Sequence, residues 1–299
     1  MSLKKRTCTL KIYQPEDSYD KSRNTLALYS FRFPECYMEF KISQIDSDAP
    51  NNCYVKLFGI STDTYKIFED SRFKKFGTKQ IVEISIGYDR EEEIIYSGTL
   101  SRVRYNFNYG QQVMELLLNQ DIEKYKIQRH SFCISRETSV YEALQTICSM
   151  YGYSLECLDK DVFKNVRLKP TTLEGSFENC LNTILNKNMY YNIDESKLTV
   201  YSTTKPSGME YKLGFNSGLI SYPTLDTGKI DDGDYYTIKH KIIPSLKLNS
   251  TILIPIDKYG LFSPIDTGVY ERFVVEQFVS TFSPTQDVVD IECRRENNG

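Results

Sequence analysis

The stretch "VEISIGYDREEEIIYSGTLSRVRYNF", Val82–Phe107, carries the reading of the fold. Val82, Ile84, Ile86 and Tyr88 alternate with Glu83, Ser85 and Gly87, the period of a β-strand with one buried face. Ile94, Tyr96 and Leu100 put an apolar face on a return strand. From Val103 the apolar positions shift to odd numbers: Val103, Tyr105, Phe107 and Tyr109. A bulge or sharp bend is therefore expected between Gly98 and Arg102. Between the strands stand Asp89, Arg90, Glu91, Glu92 and Glu93. Such a run is either an acidic site for a metal, a proton or a cationic partner, or the solvated tip of a hairpin.

The neighbouring sequence extends the β pattern. Gly110 turns the chain into "QQVMELLLNQ", where Met114, Leu116 and Leu118 alternate. Three long antiparallel strands in succession, with bends, predict a strongly curved sheet or barrel. Upstream, Leu10 and Ile12 share a face, and 40–45 and 53–58 read as further strands. "GISTDTYKIFEDSRFKKFG" (59–77) interrupts them. Ser61 or Thr62 serves as an N-cap, Tyr65, Phe68 and Phe73 follow at helical spacing, and Gly77 stops the run. This predicts a first β domain over 1–120 with a short helix near 62–76.

The middle, 121–203, holds a weak internal repeat. "SVYEALQTICSMYGYSLE" (139–156) aligns with "SFENCLNTILNKNMYYNI" (176–193). Ser139 matches Ser176 as an N-cap, Leu144 matches Leu181, Thr146 matches Thr183, Ile147 matches Ile184 and Tyr153 matches Tyr190. Each copy reads as an amphipathic helix followed by an aromatic strand, so this is a small α/β module of two helix–strand units. Residues 203–218, with Pro206, Gly208, Gly214 and Gly218, read as a linker into a second β domain over 204–299. The fold class is mainly β, α+β.

Composition narrows the function. Of 299 residues, 13% are aromatic and 40% hydrophobic, too apolar for disorder. Net charge is -3, so nothing in the charge balance suggests a nucleic-acid binder, whose affinity needs a basic face, and no specific nucleic-acid binding is expected. No apolar run approaches the ~20 residues of a membrane helix, so no membrane insertion is expected. No apolar core of a secretory signal follows the basic "MSLKKR" start. The eight cysteines form no C-x-x-C and read as buried free thiols in a reducing compartment. His130 and His240 read as structural histidines. The carboxylate clusters, "DDGDYY" (231–236) among them, fall in turn-like sequence, and no P-loop or G-x-S-x-G is present. No catalytic set, metal or cofactor site is expected. Tyr105, Phe107 and Tyr109 could stack on a sugar or base; on a strand they read better as core or subunit interface.

These motifs resemble a family. "CYVKLFGISTDTYKIF" followed by "FGTKQIVEISIGYDREEEIIYSGTL" is similar to the first domain of baseplate hub proteins of contractile-tailed phages and phage-like injection systems. Leu57, Gly59, Ile60, Ser61, Thr64, Val82, Gly87, Tyr88, Gly98 and Thr99 carry the likeness. The C-terminal "SGLISYPTLDTG" and "GVYERFVVEQFVSTFSPTQD" resemble the second barrel of such hubs, although Phe278–Pro284 stands where the family often has a His and a Gly-Asp.

The resemblance implies two tail-tube-like β-barrels per chain and a homotrimer whose six barrels join a six-fold tail tube to a three-fold central spike. It implies partners in the tube or tube-initiator protein, the spike, baseplate wedge proteins and a tape-measure protein in a polar, net acidic lumen that passes DNA or effectors. It places the chain in the virion baseplate, assembled in the bacterial cytoplasm. The expected assembly interface is Asp89, Arg90, Glu91, Glu92 and Glu93 at an axial end, with Tyr65, Phe68, Tyr105, Phe107 and Tyr109 on the barrel flank. Alternatives are a peptidoglycan-binding module of LysM type in the middle repeat, a wall hydrolase of the tail tip, a distal tail protein, or a type VI spike hub.

Overall fold

The computed structural model describes residues 6–15, 27–45, 51–69, 80–88, 91–108, 110–120, 125, 128–186, 188–194, 197–202, 209–226 and 235–296. The first part contains β1 (Arg6–Pro15), β2 (Tyr29–Phe33), β3 (Met38–Ile45), β4 (Asn52–Phe58), α1 (Thr62–Glu69), β5 (Gln80–Tyr88), β6 (Glu91–Asn108) and β7 (Gln111–Asn119). The strands pair antiparallel in the order β3-β4-β7-β6-β5-β1-β2. Leu10, Phe40, Val55, Ile84, Tyr96 and Leu116, from six of these strands, share one buried core, and Tyr29, Phe31 and Phe33 of β2 pack against it. Both ends of the sheet thus meet around a single core. Among the described residues no ladder joins β2 to β3, so side chains close the curve and hydrogen bonds do not.

The expected bulge lies at Ser101: Leu100 faces Leu118 and Arg102 faces Leu117. A second bulge was not legible. Ile84 faces Tyr96 but Ser85 faces Ile94, which leaves Ile95 extra. Ile94 therefore does not share the face of Tyr96: it is 53% exposed against 2%. Helix α1 begins as expected, with Ser61 Oγ accepting the Thr64 amide at 3.2 Å. Residues 70–76 of the predicted helix lie outside the described residues.

The middle part contains β8 (His130–Ile134), α2 (Val140–Tyr151), β9 (Ser154–Cys157), α3 (Lys160–Asn165), β10 (Thr171–Gly175), α4 (Phe177–Ile184), β11 (Met189–Asp194) and β12 (Lys197–Ser202). The repeat is visible in its caps. Ser139 Oγ accepts the Glu142 amide at 3.2 Å, and the Glu142 carboxylate accepts the Ser139 amide at 2.8 Å, a capping box. Ser176 Oγ accepts the Asn179 amide at 3.3 Å. Thr146 and Thr183, aligned by sequence, donate to the carbonyls of Glu142 and Asn179 at 3.0 and 2.8 Å. Strands β8 and β10 are antiparallel, and β12 runs parallel to β9 but antiparallel to β11, so the two units point in opposite senses. Leu144, Ile147, Phe177 and Leu181 bury their helices in one shared core. Between the units lies α3, absent from the sequence reading.

The last part contains β13 (Glu210–Lys212), β14 (Leu219–Leu225), β15 (Tyr235–Lys241), β16 (Thr251–Pro255), β17 (Tyr270–Phe282) and β18 (Asp287–Arg295). Their order is β14-β15-β18-β17-β16-β13, around a core that includes Ile238, Ile252, Phe273 and Ile291. Strand β13 falls inside the segment read as a linker; it pairs with β16. Strand β17 is shared. Its first half pairs with β16, a bulge falls at Glu276, and its second half, Gln277–Phe282, pairs with Phe40–Ile45 of β3. The two β regions, expected as separate barrels, are thus one continuous sheet with two cores. Phe282 and Ile242, from the last part, are buried in the core of the first.

Candidate assembly interface

A cluster of side chains around Arg6 and Asp287 clasps the β regions together. Arg6 on β1 forms an ion pair with Asp287 at the start of β18, 3.1 Å apart, and donates to the Pro284 carbonyl. Its guanidinium stands 5.9 Å from the Phe33 ring and 5.6 Å from that of Phe282. Phe282 stacks on Phe40 at 5.2 Å and meets Phe33 edge-on at 5.5 Å. Tyr88, at the end of β5, donates its hydroxyl to the second oxygen of Asp287, and the Lys241 ammonium lies 6.0 Å from its ring. Burial, then the Asp287 carboxylate, hold the Tyr88 hydroxyl protonated well above the usual tyrosine range. None of Arg6, Phe282 and Asp287 was singled out from sequence as a site residue. No local pattern marks a pair so far apart in the chain.

The acidic run is not a loop in its glutamates. Tyr88 faces Glu91, Gly87 faces Glu92 and Ile86 faces Glu93, so all three belong to β6. Asp89 and Arg90 alone separate the strands, and they lie outside the described residues, as does the side chain of Glu91. Glu92 accepts from Ser85 Oγ at 3.1 Å and pairs with Arg32 of β2 at 3.6 Å. Its carboxylate thus ties β6 to β2 across two intervening strands. Glu93 is exposed.

The aromatic set divides likewise. Tyr105 stacks on Tyr65 at 4.7 Å and donates to the Ile60 carbonyl at 3.3 Å, which seats α1 on β6. Phe107 is 73% exposed, at the rim of a cleft of about 650 Å³ with Tyr37, Glu39, Phe58 and Pro284. Tyr109 and the side chain of Phe68 lie outside the described residues.

A second cleft, about 820 Å³, opens beside Tyr88, Lys212, Phe215, Ser217, His240 and Lys241. His240 Nδ1 donates to the Lys241 carbonyl at 2.6 Å, and Nε2 faces Ser217 Oγ at 3.4 Å. Ser217 Oγ also lies 2.8 Å from both the amide and the carbonyl of Gly214. The pair therefore pins a turn. Desolvation holds the His240 imidazole below its ordinary value, neutral near pH 7. His130 packs edge-on against Tyr151 at 4.7 Å. Among the described residues no three His, Cys, Asp or Glu side chains stand where they could hold a metal. Residues 231–234 of the acidic "DDGDYY" lie outside the described residues.

Two curved β regions on one sheet, with a small α/β module inserted between them, define a fold class: that of tail proteins of phages and of a type VI secretion component. No family model and no curated protein matches the sequence. The particular likenesses are to solved structures. One is a tail protein from Neisseria meningitidis MC58, with TM-score 0.60, 8% identity and 97% of each chain covered. Another is the 43 kDa tail protein of prophage MuSo2 from Shewanella oneidensis, with TM-score 0.58, 9% identity and 97% of each chain covered. A third is the E. coli c3393 protein, a type VI secretion component described as similar to T4 tail proteins gp27 and gp5. It has TM-score 0.55 and 6% identity, over 88% of this chain and 74% of that one.

Proposed function

We propose that this chain is the structural hub of a phage or phage-like baseplate. Three copies form a ring that adapts a six-fold tail tube to a three-fold central spike and lines the channel for DNA or effectors. The role is non-enzymatic, and the partners are further copies, the tube or its initiator, the spike, wedge proteins and a tape-measure protein. The observation that carries this reading is a repeated strand order within one chain. β3-β4-β7-β6-β5 in the first β region is matched by β14-β15-β18-β17-β16 in the last, with every neighbouring pair antiparallel. Three chains would then offer six similar units, which is how a three-fold assembly can meet a six-fold one. The likeness in fold to phage and type VI tail proteins supports the same reading. Antibody labelling of intact particles tests it: label is expected at the spike end of the tube alone. Label along the whole tube, or on no particle, contradicts it.

A further inference from the structure

The two β regions are welded to each other, and the middle module is not welded to either. The second half of β17 ladders onto β3, and Ile242 and Phe282 of the last part are buried in the core of the first. The core of the module is drawn from 125–200 alone, with Tyr125, Val140, Leu144, Phe163, Phe177 and Val200 fully buried in it. Its sheets are its own as well, β8 with β10, and β11-β12-β9. Among the described residues no helix or strand of the module packs along a strand of either β region. A contact that does cross is made by Asn51, 3% exposed and just ahead of β4: its Nδ2 donates to the Ile193 carbonyl of β11 at 3.3 Å. The Asn51 carbonyl accepts the Tyr96 hydroxyl and the Gln120 amide, both at 3.2 Å, so this residue is fixed in the first β region. Gln120 follows β7, where the chain leaves for the module, so the contact stands beside the crossing point.

We propose that the middle module is a rigid body that turns on the Asn51–Ile193 contact while the continuous β sheet stays fixed. A hydrogen bond beside the crossing point sets where the module sits but has little leverage on how it is turned. Resisting rotation takes contacts away from the pivot. Glu156 of β9 lies two strands over from Ile193, about 10 Å at ordinary strand spacing, and there Lys247 of the last part acts on it. Its ion pair, however, is with Lys197 of the module's own β12, at 2.8 Å, with both side chains 44% exposed. The Lys197 hydrogen bond is the chief cause that holds the Glu156 carboxyl below its usual range, and Lys247 adds the least. Exposed charges so placed are screened by salt and hold weakly. At the pivot itself Asn51 Oδ1 is buried with no donor among the described residues, so the seat is incompletely paired. A separate core joined through a small polar contact is the arrangement that lets one domain move against another. A partner that grips the module can turn it without straining the sheet. This motion belongs to the single chain and needs no ring.

Spin-label distances in the full-length chain test the pivot. Cys133 is exposed on β8 and takes one label, and Cys36→Ser with Cys157→Ser clears the partly exposed thiols. Lys11→Cys on β1 puts the second label on the sheet, and Gln145→Cys on α2 puts it on the module; both positions are exposed. Labelled chain is diluted in unlabelled chain, so that only distances within one copy are read. Asn51→Ala is expected to broaden the distance distribution between positions 133 and 11 and to leave that between 133 and 145 as it was. A 133–11 distribution that Asn51→Ala leaves unchanged overturns the pivot, and so does an equal broadening of both. Should Asn51→Ala fail to fold, unfolding with Asn51 intact decides. The chain has no tryptophan, so Tyr141→Trp reports on the module and Phe215→Trp on the β regions. Ser139→Ala, which removes the α2 cap, is expected to lower the urea midpoint read at position 141 and to leave that at position 215 in place. An equal shift at both positions would show module and sheet unfolding as one unit and overturn the proposal.

Discussion

Arg6 and Asp287 lie 281 positions apart and meet at 3.1 Å, so nearly the whole chain must be in place before their ion pair exists. The pair is mostly buried, with side chains 21% and 11% exposed. Around it sit Tyr88, Phe33 and Phe282. The β3–β17 ladder joins the two β regions on one side, and this clasp fastens β1 and β5 to the β17–β18 turn.

Removing one partner strands the other in a half-buried site. Arg6→Ala and Asp287→Ala are each expected to cost roughly 1.5–3 kcal/mol, the range for hydrogen bonds to charged groups. The double variant should cost less than the sum, because neither charge is then left alone. Urea unfolding of the three variants measures this; additive losses would show that the pair is not coupled.

Glu92 and Glu93 are adjacent glutamates with opposite expectations. Glu92→Lys puts a cation against Arg32 and removes the acceptor of Ser85, and about 1–2 kcal/mol of stability should go with it. Glu93→Lys, on an exposed side chain, should stay within about 0.5 kcal/mol. Equal melting temperatures for the two variants would contradict the strand assignment of Glu92.

The helix caps of the middle module predict a graded loss. Ser176→Ala removes one amide acceptor and should cost about 1 kcal/mol. Ser139→Ala also breaks the capping box with Glu142 and should cost more, toward about 2 kcal/mol. Hydrogen exchange across α2 and α4 reports each loss locally; a loss in α4 alone for both would be inconsistent.

His240 gives a pH dependence. Its imidazole titrates below the ordinary 6.5 when folded, so the unfolded chain binds the proton first as pH falls. The stability held by neutral His240 is complete above about 6.5 and drains away as pH drops toward the folded value. Ser217 on Nε2 and the Lys241 carbonyl on Nδ1 are the groups that meet the ring, and the Lys241 ammonium adds to the penalty on a charged imidazole. His240→Gln should flatten the stability profile between pH 7 and about 5 in chemical unfolding. An unchanged slope would assign it to other groups.

What the sequence revealed was local. The Ser139 and Ser176 caps, the alternation through Val82–Tyr88 and the phase change that marks Ser101 depend on residues a few positions apart. The Ile95 bulge escaped because Ile94 and Ile95 are both isoleucines, so hydrophobicity alone gives no change of phase. The glutamates of β6 were read as loop because charge usually marks loops; here the cross-strand partners Ser85 and Arg32 accept Glu92 into the sheet. The junction of Gln277–Phe282 with Phe40–Ile45 was invisible for a deeper reason. Either half alone is an ordinary apolar strand, and only the assembled sheet selects its neighbour. The same holds for the interface: Tyr105 and Phe107 share a face of one strand, yet one seats a helix and the other is open.

The most direct test of the hub reading is single-particle imaging of the purified full-length chain, alone and with its spike partner. The account predicts a three-fold ring around a central opening, with the mass of three 34.8 kDa chains. Isolated compact monomers under both conditions would contradict it.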